Sequence, residues 1–258
     1  MALRSALHFV GDRSKTVTFY SDVLAMTILR HKELEEGCNK PMVGLGPEYD
    51  DLVAELIYNY RVGEYRLGND FLSLTLQSSQ AVSNAKLLGW PLTGVGKGLY
   101  MAEAPGGYRL YLVDKEQPPT DPVQKVCLAG SDLQESIHGC SSLLGTKVKE
   151  GNKEKKTVLM GFTETQCKLE LHNIFGTVDH VPAFGQIAFS CPREQLADLE
   201  ALMTKGNRKI LTPLVSLDAP GKACLDSPGK PGLPWEGLVS LDSPGKAWLA
   251  WTPLGRLG

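Results

Sequence analysis

The apolar residues of this chain fall into short runs that alternate with amphipathic stretches, and the pattern comes round four times. The first run, Ala6-Leu7-His8-Phe9-Val10, reads as a strand. A helix follows, with Asp12 or Ser14 as its N-cap and Val17, Tyr20, Val23 and Leu24 along one face. Three further strands are predicted around 27–30, 42–45 and 52–59.

The second copy opens with Phe71-Leu72-Ser73-Leu74-Thr75-Leu76. Its helix carries Ala81, Val82, Ala85 and Leu88 and stops at Gly89, a residue type suited to the left-handed position after a helix. Strands are predicted near 99–102 and 108–113, joined by the turn Pro105-Gly106-Gly107. The third copy opens at Lys125-Val126-Cys127-Leu128. Ser131 and Gln134 have capping-box spacing, Leu133, Ile137, Cys140 and Leu144 make the apolar stripe, and Gly145 ends the helix. Strands are predicted near 158–161 and 168–172. The fourth copy opens at Gln186-Ile187-Ala188-Phe189, with Pro192 expected at the first helical position, Leu196, Leu199 and Met203 facing inward, and Gly206 at the helix end.

Strand starts thus recur roughly every 60 residues, one supersecondary unit per repeat. The polar, proline-rich run from Asp114 to Pro122 separates two pairs of units. The expected organisation is a first domain over 2–116, a linker over 117–122, a second domain over 123–217, and a tail over 218–258. In that tail Leu238-Val239-Ser240-Leu241-Asp242 repeats Leu214-Val215-Ser216-Leu217-Asp218, each followed by a Pro-Gly-Lys-Ala sequence. Its proline and glycine content leaves little to bury against its ordering entropy, so disorder is expected there. The second domain then reads as truncated, an alternative or aberrant end that leaves a sheet edge unpaired.

Composition narrows the function classes. A formal net charge of -2 and the lack of a basic run give no reason to expect nucleic acid or anionic lipid as partner. No stretch approaches the roughly 18 consecutive apolar residues of a membrane span. The opening residues carry no signal-peptide core. Six scattered cysteines without a C-x-x-C pair point to free thiols in a reducing compartment, and a zinc–cysteine site is not expected.

Several segments resemble the glyoxalase domains of the vicinal-oxygen-chelate superfamily. Phe19-Tyr20-Ser21-Asp22-Val23-Leu24-Ala25-Met26 is similar to their F-Y-x-x-x-L-G-M helix end, with alanine where glycine is usual. Glu55-Leu56-Ile57-Tyr58-Asn59 and Leu169-Glu170-Leu171-His172-Asn173 resemble their E-L-x-x-N strand. Phe184-Gly185-Gln186-Ile187-Ala188 resembles F-G-H-I-x, and Pro105-Gly106-Gly107-Tyr108 resembles P-D-G-Y. The resemblance implies an α+β fold of tandem βαβββ units forming two glyoxalase-like domains, the second incomplete. It also implies a divalent metal (zinc, nickel or manganese) between the first and last strands of paired units, which polarises substrate oxygens while a carboxylate moves the proton.

Carried over residue by residue, the resemblance assigns metal positions to His8, Glu55, Glu170 and Gln186, and catalytic carboxylates to Glu55 and Glu170. Glu55 also stands out physically, because a carboxylate flanked by Leu52-Val53-Ala54 and Leu56-Ile57 is costly to bury unless paired or metal-bound. The matching positions in the second unit, Phe71 and Tyr111, and Lys125 in the third are poor ligands. Only Phe9, Val10 and Gly11 separate His8 from Asp12, fewer than the family pattern places there, which leaves the register of His8 open.

Counting ligands favours a small-molecule-binding module that is non-catalytic or weakly active. The alternatives are a metal-dependent lyase or isomerase acting on a glutathione-type thiol adduct, and a scaffold for a protein partner. The resemblance implies a cytoplasmic or mitochondrial protein.

Overall fold

A computed structural model describes residues 1–34, 38–179, 186–205, 238–243 and 246–251 of the chain. The first unit is β1 (Ala2–Phe9), α1 (Arg13–Val17), a π-helical turn (Thr18–Val23), β2 (Thr27–Leu34), β3 (Cys38–Gly44) and β4 (Val53–Asn59). The second is β5 (Phe71–Gln77), α2 (Ser79–Leu87), β6 (Thr93–Gly96), β7 (Leu99–Glu103) and β8 (Arg109–Val113). The third is β9 (Val123–Gly130), α3 (Leu133–Leu144), β10 (Lys147–Asn152), β11 (Thr157–Gly161) and β12 (Lys168–Asn173). The fourth begins with β13 (Gln186–Pro192), a 3-10 turn (Arg193–Gln195) and α4 (Leu196–Lys205), and is followed by β14 (Leu238–Ser243) and β15 (Lys246–Trp251).

Local chemistry sets the helix ends. Asp12 caps α1 by accepting from the Lys15 amide, and Ser78 caps α2 through Ala81. In α3 the cap is Asp132, which accepts from Glu135, rather than the expected Ser131, because an aspartate carboxylate one residue on reaches the free amide. Gly145 closes that helix at φ 72, in the left-handed region where a Cβ is penalised. Ala25 takes the same conformation, at φ 59, after the first helix, and carries a cost of roughly 1 kcal/mol that glycine would avoid. Pro192 ends β13 instead of starting α4.

The sheets join units across the linker. One sheet runs β14-β15-β13-β1-β4-β3-β2, and so combines units one and four. The other runs β10-β11-β12-β9-β5-β8-β7-β6, and combines units two and three. First strands meet in the middle, β1 against β13 and β5 against β9, both antiparallel. Units one and two are held together by their helices instead. Phe19 packs its ring against Trp90, and Asn84 of α2 donates to the Asp22 carbonyl at 3.0 Å. Helices α3 and α4 pack on each other in the same way. Each predicted domain is therefore a helix-packed pair, and each sheet takes one unit from either side of the linker.

Asp121, in that linker, ties the two sheets together. Its carboxylate accepts from the amides of Leu52 at 2.9 Å, Val123 at 2.9 Å and Cys167 at 3.3 Å, so one buried side chain satisfies three chain segments. Burial pushes its pKa up to about 6, against the pull of those three amides.

In three units the first strand lies parallel to the last: β1 with β4, β5 with β8, β9 with β12. In the fourth, β13 meets β15 antiparallel, through a β14–β15 hairpin built from the repeated tail. These two strands depart from the disorder expected over 218–258. The run Lys246-Ala247-Trp248-Leu249-Ala250-Trp251 has strand-forming composition, and β13 supplies its ladder. The rest of that tail, and Gly206, lie outside the described residues.

Candidate functional site: two unequal clefts

Side chains alternate across each strand, so every sheet has a face packed on the helices and a face turned away from them. Ala6, Ala54 and Leu56 belong to the common core, as do Leu74, Leu110, Val126, Leu128, Leu169 and Leu171. The opposite faces carry the polar residues, and these are the two candidate clefts.

In the first sheet, Leu7 is the register partner of both Glu55 on β4 and Gln186 on β13. The Gln186 side chain lies outside the described set. The Glu55 carboxylate has an ion-pair partner, Lys40 of β3, at 3.5 Å. His8 is one residue out of step. It pairs with Leu56 and points to the helix side, where it is fully buried. Its Nδ1 sits 2.6 Å from the Tyr20 hydroxyl, and its ring stacks on Tyr108 at 4.2 Å with Phe71 edge-on at 4.9 Å. Burial lowers its pKa to about 3, so the imidazole is neutral. His8 and Glu55 thus stand on opposite faces, and the expectation that both line one metal site is corrected by the period of the strand.

The second sheet gathers more chemistry. Parallel pairing of β9 and β12 puts Cys127, and not Lys125, beside Glu170, and antiparallel pairing of β5 and β9 puts Ser73 on the other side of Cys127. A register shift between Phe71 and Ser73 turns Phe71 into the core, which is why the first residue of the strand is not the one facing the cleft. Three groups converge on one oxygen of Glu170. Lys125 Nζ donates to Oε2 at 2.6 Å, the Cys127 thiol donates at 3.0 Å, and His172 Nε2 lies 3.1 Å away, short of hydrogen-bond geometry. These neighbours, His172 foremost, bring the Glu170 pKa down to about 2 against the opposing effect of burial. Burial, reinforced by the adjacent carboxylate, pushes the Cys127 thiol up to about 12. For Lys125 burial acts downward, and the bond to Glu170 outweighs it and raises the pKa.

The donor sets decide which cleft suits the implied metal. In the first, a leucine holds the first-strand position and a lysine neutralises the glutamate, so the residues do not fit. In the second, ligand atoms of Cys127, Glu170 and His172 all lie within 4.8 Å of one another, a sulfur, oxygen and nitrogen set that suits zinc. Cys127 is one of the scattered cysteines for which no zinc–cysteine site was expected. The signal that finds it is register: aligning Val126-Cys127-Leu128 with Leu169-Glu170-Leu171 as parallel neighbours sets the thiol beside the carboxylate. His172 stands two residues beyond Glu170 on β12, and so on the same face of the strand.

Comparison with known proteins agrees with this architecture. The maize glyoxalase I crystal structure superposes with a TM-score of 0.70 at 24% identity, over 82% of this chain and 83% of that one, so the two share a fold. Residues 73–114 match the family model of the glyoxalase domain-containing protein 4 N-terminal region, and residues 132–227 that of the corresponding C-terminal domain. Glyoxalase domain-containing protein 4 of Rattus norvegicus is 56% identical over 238 residues, 86% of this chain and 80% of the relative. A lactoylglutathione lyase of Arabidopsis thaliana is 30% identical over 198 residues, 69% of this chain and 70% of the relative. The chain belongs to the glyoxalase domain-containing protein 4 family.

Proposed function

We propose that this chain is a small-molecule-binding glyoxalase-domain protein whose second cleft is the binding site, and that it is non-catalytic or weakly active as it stands. The observation that carries this is the state of Glu170. A carboxylate oxygen already bonded by the Lys125 ammonium at 2.6 Å and the Cys127 thiol at 3.0 Å, neighbours that also lower its pKa, is poorly placed to take a proton from a substrate. What the cleft offers is recognition. Lys125 supplies a cation, and Ser73 and Thr75 present small hydroxyl groups on the same face. Polar, anionic molecules such as glutathione-type thiol adducts suit that lining. Glu55 is the polar residue we assign to the first cleft, and Gln186 shares its register through Leu7.

The second reading is a metal-dependent lyase or isomerase acting on such an adduct. It is favoured by relatives named as lactoylglutathione lyases and by the three donors around Glu170. A bound metal would supply Lewis acidity there. This chain's own residues would then hold the ion through Cys127, Glu170 and His172, and neutralise substrate charge through Lys125. No helix among the described residues is long and apolar enough to cross a membrane. The buried free thiols Cys127, Cys140, Cys167 and Cys191 are consistent with the cytosol or mitochondrion.

Thermal unfolding of the full chain with S-lactoylglutathione, beside an assay of hemithioacetal turnover, tests the proposal. A raised midpoint without turnover supports binding. Turnover that follows added metal replaces this reading with the second, and an unmoved midpoint removes the ligand class.

A further inference from the structure

Glu170 already holds a cation, and that cation belongs to the chain. We infer that the second cleft is a lysine-locked zinc site: Cys127 Sγ, Glu170 and His172 Nε2 take one zinc ion, and the Lys125 ammonium holds the carboxylate in the ion's absence. The inference rests on reading the second cleft as the binding cleft. The site departs from the implied family plan, in which each of four strands gives one ligand. Here all three donors come from two adjacent parallel strands of one unit, with two of them at alternate positions of β12.

The spacing suits a tetrahedral ion. Ligands about 2.0–2.3 Å from zinc stand about 3.5 Å from one another. In the structure Sγ and Nε2 are 3.0 and 3.1 Å from Glu170 Oε2, so small side-chain shifts make room. The Nε2 atom is shielded from water, and its contact with Glu170 Oε2 at 3.1 Å falls short of hydrogen-bond geometry, so the nitrogen already faces the oxygen with which it would share an ion. Mixed sulfur, nitrogen and oxygen donors favour zinc over manganese or magnesium, which prefer oxygen. Three protein ligands leave the fourth position open.

Charge shows why Lys125 must yield. Counted formally, with the imidazole taken as uncharged throughout, lysine, carboxylate and thiol sum to zero. When zinc binds, the S–H bond breaks, the Zn–S bond forms and the proton leaves to solvent. Zinc, thiolate, carboxylate and imidazole again sum to zero, so a retained ammonium would leave one uncompensated positive charge. The Lys125 side chain is 34% exposed, which gives it a path to water. The ion therefore replaces the lysine on Glu170, and the lysine tail becomes free to meet an anionic ligand.

Cobalt(II), whose thiolate complexes show a near-ultraviolet charge-transfer band, is the probe, with zinc as competitor. The full chain is expected to take one cobalt with that band, and zinc to displace it. Cys127→Ser should abolish the band with circular dichroism unchanged, and Lys125→Met should tighten binding at least tenfold. Absence of the band in both wild type and Lys125→Met, or its persistence in Cys127→Ser, overturns the site. Equal affinity in wild type and Lys125→Met overturns the lock. A midpoint shift by S-lactoylglutathione that survives a chelator keeps the binding function standing whichever way the metal result falls.

Discussion

Glu55 and Glu170 each precede a leucine on the last strand of their units, with an asparagine four residues on in the first and three in the second. Among the described residues Glu55 pairs with Lys40 of β3 at 3.5 Å, with a leucine in the neighbouring first-strand register. Glu170 meets Lys125 at 2.6 Å, with a thiol and an imidazole around the same oxygen. The motif therefore fixes where a carboxylate stands, and the adjacent first strand decides what it can do. Cys127 in that strand makes a donor set, and Leu7 in the corresponding place removes one.

The largest effect comes from cutting the tie between the two clefts. Asp121→Ala leaves the amides of Leu52, Val123 and Cys167 without their acceptor and should cost about 3 kcal/mol or more of stability. Urea unfolding measures it. A loss within ~0.5 kcal/mol would mean that the sheets hold each other without this carboxylate.

A direct comparison of the clefts comes next. Glu170→Gln leaves the Lys125 ammonium, one-third exposed, without its partner and should cost roughly 1–2 kcal/mol, below the full penalty for a buried pair. Glu55→Gln breaks the longer contact to Lys40 and should cost less than about 1 kcal/mol. If the two variants unfold at the same urea concentration, the clefts are energetically alike and the distinction drawn from geometry fails.

The smallest effect is in the pH profile. The Glu170 carboxyl is depressed from 4.5 to about 2, so its contribution is fully present above about pH 4.5 and is lost as pH falls toward 2. Asp121 has the opposite sign. Its pKa is raised from 3.8 to about 6, so it costs stability as pH rises through that window. Wild type and Glu170→Gln should therefore converge below pH 4.5, while both keep the slope between pH 4 and 6. Parallel curves down to pH 2 would contradict the Glu170 assignment.

Much of the fold was legible because strand and helix periods are local. The runs opening each unit became β1, β5, β9 and β13, and the caps at Asp12 and Gly145 lie where short-range chemistry puts them. Edge strands were not legible. In β6, Thr93-Gly94-Val95-Gly96 is wholly exposed and owes its conformation to pairing with β7, and β10 owes its own to β11. The site was half legible. Glu170 stood out by motif, but its neighbours depend on register between strands 40 residues and more apart, where one residue of slip exchanges Leu7 for His8 and two exchange Cys127 for Lys125. The joining of units one and four was not legible at all, because no local pattern records which strand edges meet.

That joining bears on how the chain is made. Strands β5 to β12 fall between residues 71 and 173, so the second sheet is complete in sequence once that stretch has emerged. The first sheet needs Gln186 against Leu7. At ~5–20 residues per second, β1 waits on the order of ten seconds or more for its partner. During synthesis the nascent chain thus carries a finished half and an open strand edge, and the open edge is the half most in need of a chaperone.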